Sequence, residues 1–346
     1  MAKIIGTSDD ELLAAAKQIN AGGLVAFPTE TVYGLGSRLE EKALASIFAA
    51  KHRPYSDPLI THFDIPEHAK KYLILTEEES ELFDKIAKRF WPGPLTVVAP
   101  ASSAVPPLVM AGTGCVGVRV PSHPIAHRFL ELCKEPVAAP SANLFGHVSP
   151  TTVEHVNKDL GYNKDLIIIS GGSATIGIES TVIRLKGNTL TILRPGFITK
   201  CQLEEVSPNN VFGICDKNMQ LASPGHETKH YAPNIDTVLG RLTNDKDAHE
   251  IPKGTVIIDF NRQFASASSK AIRYFDLSPI GCVAEAINKV YNILRDAETT
   301  PNANFCIIAD IIKSGLENDQ HDQELVTSLR DRLLRSASHR IGNYKI

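Results

Sequence analysis

The stretch Leu24-Val25-Ala26-Phe27-Pro28-Thr29-Glu30-Thr31-Val32-Tyr33-Gly34-Leu35-Gly36 decides how the chain is read. Its first four residues are an unbroken apolar run stopped by a proline, the pattern of a strand covered on both faces. The next eight residues hold two hydroxyls, a carboxylate, a phenol and two glycines. In α/β proteins ligands bind in the crevice beside the strands' carboxyl ends, so this loop is a candidate site wall. Gly34 and Gly36 are expected to let the backbone turn tightly beneath it. Upstream, Ser8-Asp9-Asp10-Glu11 reads as a capping box. Leu12, Ala16 and Ile19 recur at helical spacing, and Gly22-Gly23 marks the stop. A helix feeding a buried strand is the first sign of an α/β chain.

The same alternation continues downstream. A helix is predicted from about Glu40 to Ala50, with Leu44, Ile47 and Phe48 inward, followed by a Pro-rich loop carrying Lys51 and Arg53. Leu59–Phe63 reads as a strand, with Leu59, Thr61 and Phe63 on one face. Thr76-x-x-Glu79 caps a helix built on Leu82, Phe83, Ile86 and Phe90. Strands are predicted at Leu95–Ala99, Val116–Val120, Pro136–Pro140 and Leu166–Ile169, and a hairpin turns at Lys186-Gly187-Asn188 before its second arm ends at Arg194. The first domain is expected to span 1–205. Residues 206–235 carry Pro, Gly and Asn punctuation and read as a linker. From 236 to 346 a second, smaller α/β domain is predicted, from strands at Thr255–Phe260 and Phe305–Ala309 and helices marked by Val283, Ile287, Val290 and Leu294 and by Leu325, Leu329 and Leu333. The fold class is therefore α/β.

Composition narrows the function classes. The chain has 346 residues, 43% hydrophobic and 22% charged, with a net charge of −3. That is ordinary for a globular protein and gives no global basic field for tight nucleic-acid binding. Six scattered cysteines form no C-x-x-C pair, which fits reduced thiols in a cytoplasmic protein better than a zinc cluster or disulfide framework. The N-terminus lacks a signal-peptide apolar core. No apolar run approaches the ~20 residues that span a bilayer, so no membrane partner is expected.

Two familiar patterns fail on context. Gly112-Thr113-Gly114-Cys115-Val116-Gly117 fits G-x-G-x-x-G, but it precedes a predicted strand instead of opening a helix on which phosphate could sit. His226-Glu227-Thr228-Lys229-His230 fits the zinc-protease H-E-x-x-H, but Gly225 and Pro233 leave about two helical turns, too little for the rigid helix that chemistry needs. No metal site is predicted, and there is no P-loop.

A cationic set survives. Lys51 and Arg53 sit in a loop, Arg119 lies in an apolar strand, and Arg194 ends another. A lone buried arginine demands a partner, because an uncompensated buried charge is costly. Taken singly, each has a bland alternative: a structural salt bridge for Arg119, and a solvated loop for Lys51 and Arg53. Together these cations suit a polyanion, since the guanidinium fork matches carboxylate and phosphate oxygens. Thr29, Thr31, Ser141, Ser149, Ser180 and Thr181 add hydroxyls without adding charge.

With the opening stretch, Lys51-x-Arg53-Pro54, Trp91-Pro92-Gly93-Pro94-Leu95-Thr96, Val118-Arg119-Val120-Pro121, Pro140-Ser141-Ala142-Asn143, Ser149-Pro150-Thr151 and Glu179-Ser180-Thr181 resemble, in order and spacing, the YrdC-like domain of the threonylcarbamoyl-AMP synthase family. The linker motifs Ser223-Pro224-Gly225 and Lys229-His230-Tyr231-Ala232-Pro233, with the extra domain, resemble the long two-domain form. The resemblance implies an open twisted mixed sheet with a smaller Rossmann-like domain. It implies an enzyme, a nucleotidyltransferase that makes threonylcarbamoyl-AMP and pyrophosphate from L-threonine, bicarbonate or CO2, and ATP with Mg2+. The product would feed N6-threonylcarbamoylation of tRNA through a threonylcarbamoyl transferase complex. Thr31, His62, Arg119 and Ser180 match the threonine-binding set. Arg53, Asp57, Ser141, Asn143, Ser149, Arg194 and Tyr231 match the ATP set, and Lys51 and Arg53 the charge-neutralising pair. Tyr231 is expected to reach back over the nucleotide, with the linker as a lid. Asp57 departs from the family's usual Asn; an anion there must pair with Arg53 or meet Mg2+. A second reading stays open at this stage: an RNA-binding module of the same fold, with weak RNA affinity. A third, a carbamoyl-transferring domain as in hydrogenase maturation, lacks its expected acylphosphatase-like and zinc-finger segments.

Overall fold

In the computed structural model, which describes residues 1–213, 224, 230–311 and 320–345, the chain divides into two units. The first comprises Met1–Phe145, Pro150–Thr175 and Glu179–His226. The second comprises Gly146–Ser149, Ile176–Ile178 and Glu227–Ile346. Two short excursions, 146–149 and 176–178, thus group with the second unit although they lie far upstream in sequence.

Eleven strands form the sheet of the first unit: β1 (Lys3–Ile5), β2 (Leu24–Phe27), β3 (Gly34–Arg38), β4 (Ile60–His62), β5 (Leu95–Pro100), β6 (Cys115–Arg119), β7 (Val137–Ala138), β8 (Leu166–Ile169), β9 (Thr181–Lys186), β10 (Thr189–Arg194) and β11 (Val211–Gly213). Their spatial order is β1-β8-β2-β3-β7-β4-β6-β5-β9-β10-β11, with mixed parallel and antiparallel pairing. The opening run is buried on both faces. Leu24 and Ala26 join one core with Leu44, Ile47, Leu82, Phe83 and Ile86, while Val25 and Phe27 join another with Leu12, Ile19, Ala126 and Phe129. Helices Glu41–Lys51 and Glu77–Phe90 supply the first core, and helices Asp9–Asn20 and Pro124–Cys133 the second. Each fully buried Leu, Ile or Phe contributes about 1.5–3 kcal/mol, so covering both faces is what stabilises a sheet this wide. The Thr76 cap forms as the spacing predicts: Glu79 N donates to Thr76 Oγ1 (3.2 Å) and Thr76 N to the Glu79 carboxylate (2.9 Å). Such a cap is worth about 1 kcal/mol.

Three local readings change. Lys51 is the last residue of its helix, not a loop residue; the turn begins at His52, which takes a left-handed φ of 54°. Gly34 and Gly36 form β3 rather than a tight turn. Their lack of a side chain serves close packing, since a Cβ on Gly36 would meet Val137 Cγ1 at 2.6 Å and Phe27 at 3.0 Å. Strand β11 lies where the sequence suggests only a linker and extends the sheet beside β10.

The second unit is a parallel sheet of β12 (Asp236–Thr243), β13 (Thr255–Asp259), β14 (Arg273–Asp276), β15 (Phe305–Ala309) and β16 (Ile341–Lys345), in the order β14-β13-β15-β12-β16. Helices Val283–Thr299 and Gln320–Ser336 belong to it, with Ile287, Val290, Leu294, Leu325, Leu329 and Leu333 buried as their spacing predicts. The interior strand β12 escaped the sequence reading because Gly240 and Arg241 interrupt its apolar run. None of the five described cysteines is in a disulfide, and Cys215 lies outside the described residues. Among the described residues no helix is long and apolar enough to cross a membrane.

Candidate functional site

The loop after β2 organises itself before it can meet a ligand. Thr29 Oγ1 donates to the Val32 carbonyl (2.6 Å) and accepts from the Thr31 and Val32 amides (3.2 Å each). Thr29 is therefore a turn former, as hydroxyls in such loops commonly are. With its proton spent on Val32, Thr29 Oγ1 accepts from the Thr31 hydroxyl at 2.8 Å. Thr31 Oγ1 also accepts from Arg119 Nη1 at 3.0 Å. A hydroxyl has one proton and two lone pairs, so Thr31 keeps one lone pair and can accept from a ligand N–H or O–H.

Arg119 ends β6, beside His62 at the end of β4; the two are register partners in a parallel pair. Its Nη2 bonds Glu30 Oε1 at 2.6 Å, and its Nε the Gly93 carbonyl at 3.3 Å. Both side chains are almost fully buried. Glu30 Oε2 accepts a further bond from Ser122 N at 3.1 Å. The salt-bridge reading of Arg119 is thus realised, and its partner is the carboxylate inside the opening motif. Three of the five guanidinium N–H groups are used, which leaves capacity for a second carboxylate. Glu30 was not among the candidate residues. The signal was present, because it is the single acid in a run of hydroxyls, but its partner lies 89 residues away.

His62 is 4% exposed, its ring packs edge-on to Phe27, and its Nδ1 has no hydrogen-bond partner. Burial, then the Arg119 charge, push its pKa down to about 3. It is a neutral acceptor at pH 7, able to sit beside Arg119 without repulsion and too weak a base to hold a proton there. This has a stability consequence. The folded pKa lies below the unfolded 6.5, so the unfolded state binds the extra proton and stability is lost as pH falls from 6.5 towards 3. The slope is at most about 1.4 kcal/mol per pH unit. Urea unfolding at pH 7, 5 and 4 is expected to show a flatter acid limb for His62→Gln; parallel limbs would contradict the assignment.

Ser180, just before β9, shares a hydroxyl–hydroxyl bond with Thr96 of β5 at 2.8 Å. Arg194 Nη2 donates to the Ser180 carbonyl (3.0 Å) and hydroxyl (3.2 Å), and Nη1 to the Pro224 carbonyl (3.2 Å). Thr96, a residue of the Trp91–Thr96 motif, was likewise not foreseen. Thr31, Arg119 and Glu30 therefore form one bonded cluster, with His62 the register neighbour of Arg119. Ser180, Thr96 and Arg194 form another on adjacent strands.

A third cluster surrounds Lys51, and it overturns the reading of a solvated loop. Lys51 is 1% exposed and Arg53 7%. The Lys51 ammonium donates to the carbonyls of Ser141 (2.6 Å) and Asn143. Burial, reinforced by the Arg53 charge, lowers its pKa well below the ordinary lysine value, opposed by Asp159 and Asp57. Arg53 Nη2 pairs with Asp57 Oδ2 at 2.9 Å and with the Pro58 carbonyl at 2.8 Å. Of the two roles open to Asp57, the structure shows the pairing with Arg53. The Pro28–Tyr33 loop touches this region too: Ala142 N donates to the Tyr33 carbonyl, and Tyr33 N to the Pro150 carbonyl, at 2.8 Å each.

Ser149 and Tyr231 belong to the second unit. Tyr231 is buried at 1% exposure, stacks on Tyr291 at 5.6 Å and lies under the Arg332 guanidinium. The linker motifs around Ser223, Gly225 and Lys229, and the H-E-x-x-H run apart from His230, lie outside the described residues. Among the described residues no group of three His, Cys, Asp or Glu side chains could hold a metal.

Comparison with known proteins identifies the family. Residues 17–196 match the family model described as "Telomere recombination", which covers Sua5, YciO and YrdC sequences, and residues 198–338 match "Threonylcarbamoyl-AMP synthase, C-terminal domain". The chain is 37% identical over 337 residues to a threonylcarbamoyl-AMP synthase of Pyrococcus abyssi, covering 94% of each chain. It is 42% identical over 252 residues to the Bacillus subtilis enzyme of that name, covering 71% of each. A crystal structure of Pyrococcus abyssi Sua5 complexed with L-threonine superposes with a TM-score of 0.81 at 32% identity, covering 99% of both chains.

Proposed function

Because the chain belongs to the threonylcarbamoyl-AMP synthase family, we propose that it joins L-threonine, bicarbonate or CO2, and ATP into threonylcarbamoyl-AMP and pyrophosphate. The observation that carries the residue assignment is the separation of two cationic clusters by the Pro28–Tyr33 loop, one around Arg119 and one around Lys51 and Arg53.

At the first cluster, the unused N–H groups of Arg119 take the amino-acid carboxylate. Thr31 and His62, both acceptors, take N–H or O–H groups of the substrate, and Ser180 offers a hydroxyl beside them. At the second, the third N–H of Lys51 and the Arg53 guanidinium face phosphate oxygens, with Ser141 and Asn143 positioned by Lys51. Arg194 and Asp57 complete the proposed nucleotide set within the first unit. The amine of threonine, when neutral, attacks CO2 and, on releasing one proton to water, becomes a carbamate. That carbamate is already an anion, so its oxygen attacks the α-phosphate without a dedicated base, and pyrophosphate leaves. Such a reaction asks the protein for positioning and charge neutralisation, which buried cations provide.

No described cluster suits a resident metal, whereas Mg2+ prefers phosphate and water ligands. We therefore assign it to the incoming ATP, where it offsets phosphate charge. Pyrophosphate release is expected to require threonine, bicarbonate and ATP together, and to stop with EDTA. Release without threonine would overturn the reading. The product is proposed to pass to a tRNA threonylcarbamoyl transferase complex.

A further inference from the structure

A cavity of about 550 Å3 lies in the second unit, at the carboxyl ends of β12 and β15 and against the helix Gln320–Ser336. None of the residues assigned above lines it. Two arginines of its wall, Arg241 and Arg330, share one buried carboxylate behind them. Asp310, at the end of β15, has a side chain with no exposure. Its Oδ2 accepts from Arg241 Nε (2.8 Å) and Nη2 (2.6 Å). Arg330 reaches it with Nε on Oδ1 (2.8 Å) and Nη2 on Oδ2 (3.2 Å).

One guanidinium fork neutralises one carboxylate, so the second leaves a net positive charge at the cavity wall. Both arginines present the same Nε/Nη2 edge to Asp310, and the Nη1 group of each makes no other bond among the described residues. The two side chains are 46% and 33% exposed, so both arginines are open to solvent while bonded to Asp310. Asp331, which also lines the cavity, is engaged by Arg335 (3.1 Å) and Arg332 (3.0 Å) and so does not cancel the excess. The remaining wall is Thr327 and the apolar Ile311, Val326 and Leu334.

We propose that this cavity binds an organic phosphate monoester, its phosphoryl group on the Nη1 groups of Arg241 and Arg330 and its organic body against Val326 and Leu334. The volume falls within the ~300–1,000 Å3 of metabolite sites. A monoester carries about −1.5 to −2 charge at pH 7 and three acceptor oxygens, matching two cations and four N–H donors. The carboxyl ends of parallel strands are where open α/β sheets take ligands. A purely structural role for the arginines explains their bonds to Asp310 but not the open cavity that both of them line.

The test is calorimetric titration of the full-length protein with phenyl phosphate, inorganic phosphate and benzoate. Phenyl phosphate is expected to bind most tightly. Arg330→Gln, and separately Thr327→Trp, are expected to weaken it at least tenfold. Thr327 is exposed at the cavity rim, so the tryptophan fills the space while leaving the Asp310 network in place. Lys51→Met is expected to leave this binding unchanged. Absence of binding, loss of binding in Lys51→Met, or insensitivity to both cavity variants would overturn the proposal. Benzoate binding as tightly as phenyl phosphate would overturn the phosphate class.

Discussion

Lys51→Met is expected to lower pyrophosphate release by ~10²–10³-fold, the usual loss when one preorganised donor to developing charge is removed. Two things make this the most informative substitution at the nucleotide cluster. Methionine matches the lysine stem in length, so packing around a side chain that is 1% exposed is disturbed little. The ammonium also holds the Ser141 and Asn143 carbonyls, so its loss loosens the loop that carries two further nucleotide candidates. Threonine affinity should stay within about twofold, since Lys51 makes no bond to the Arg119 cluster. Wild-type turnover in Lys51→Met would remove it from the phosphate site.

The same variant carries an independent signature in stability. The folded pKa of Lys51 lies below its unfolded value of 10.5, so between the two the unfolded state binds the extra proton. Wild-type stability therefore rises with pH across that window, and the Lys51 contribution to the slope vanishes in Lys51→Met. Denaturant titrations of both proteins at pH 7 and 9.5 would check this. Equal pH slopes would mean that the ammonium is not buried in solution.

Arg119 substitution is expected to weaken threonine binding roughly ten- to a hundredfold, the value of losing one or two charge-assisted bonds to a carboxylate. Arg119→Ala alone cannot show this cleanly. It strands Glu30 as a buried unpaired carboxylate, which costs ~3–5 kcal/mol and threatens the fold. The decisive protein is the double variant Glu30→Gln with Arg119→Gln. It removes both charges and keeps polar side chains of similar size, so much of the stability should return while threonine affinity does not. Glu30→Gln alone leaves the cation in place without its anchor, so it should bind threonine less well than wild type but better than the double variant. Full threonine affinity in the double variant would show that Arg119 serves only the fold.

Several elements were legible because their causes are local. The Thr76–Glu79 cap, the buried faces of the helices at Leu82 and Leu325, and the turn at Gly187-Asn188 each depend on residues within a few positions. Strand β12 was not legible, because an interior parallel strand is covered on both faces and needs no alternation to mark it. Gly240 shows the same limit from the other side. It interrupts the pattern in sequence, yet a Cβ there would meet Ile307 Cγ2 at 2.4 Å, a constraint set by a residue on the neighbouring strand.

The sequence by itself determined which side chains are candidates for the chemistry. Thr31, Lys51, Arg53, Arg119, Ser180 and Arg194 stand out as charges and hydroxyls at the ends of apolar segments, and their order along the chain marks the family. Only the tertiary structure decided what each one faces. Arg119 meets Glu30 across 89 residues, Lys51 meets Ser141 across 90, and Ser180 meets Thr96 across 84. The reason is physical. Whether a charge is solvated, paired or available to a ligand depends on its burial and its neighbours. Those are set by which strands lie side by side in the sheet, and no local pattern of residues encodes that order.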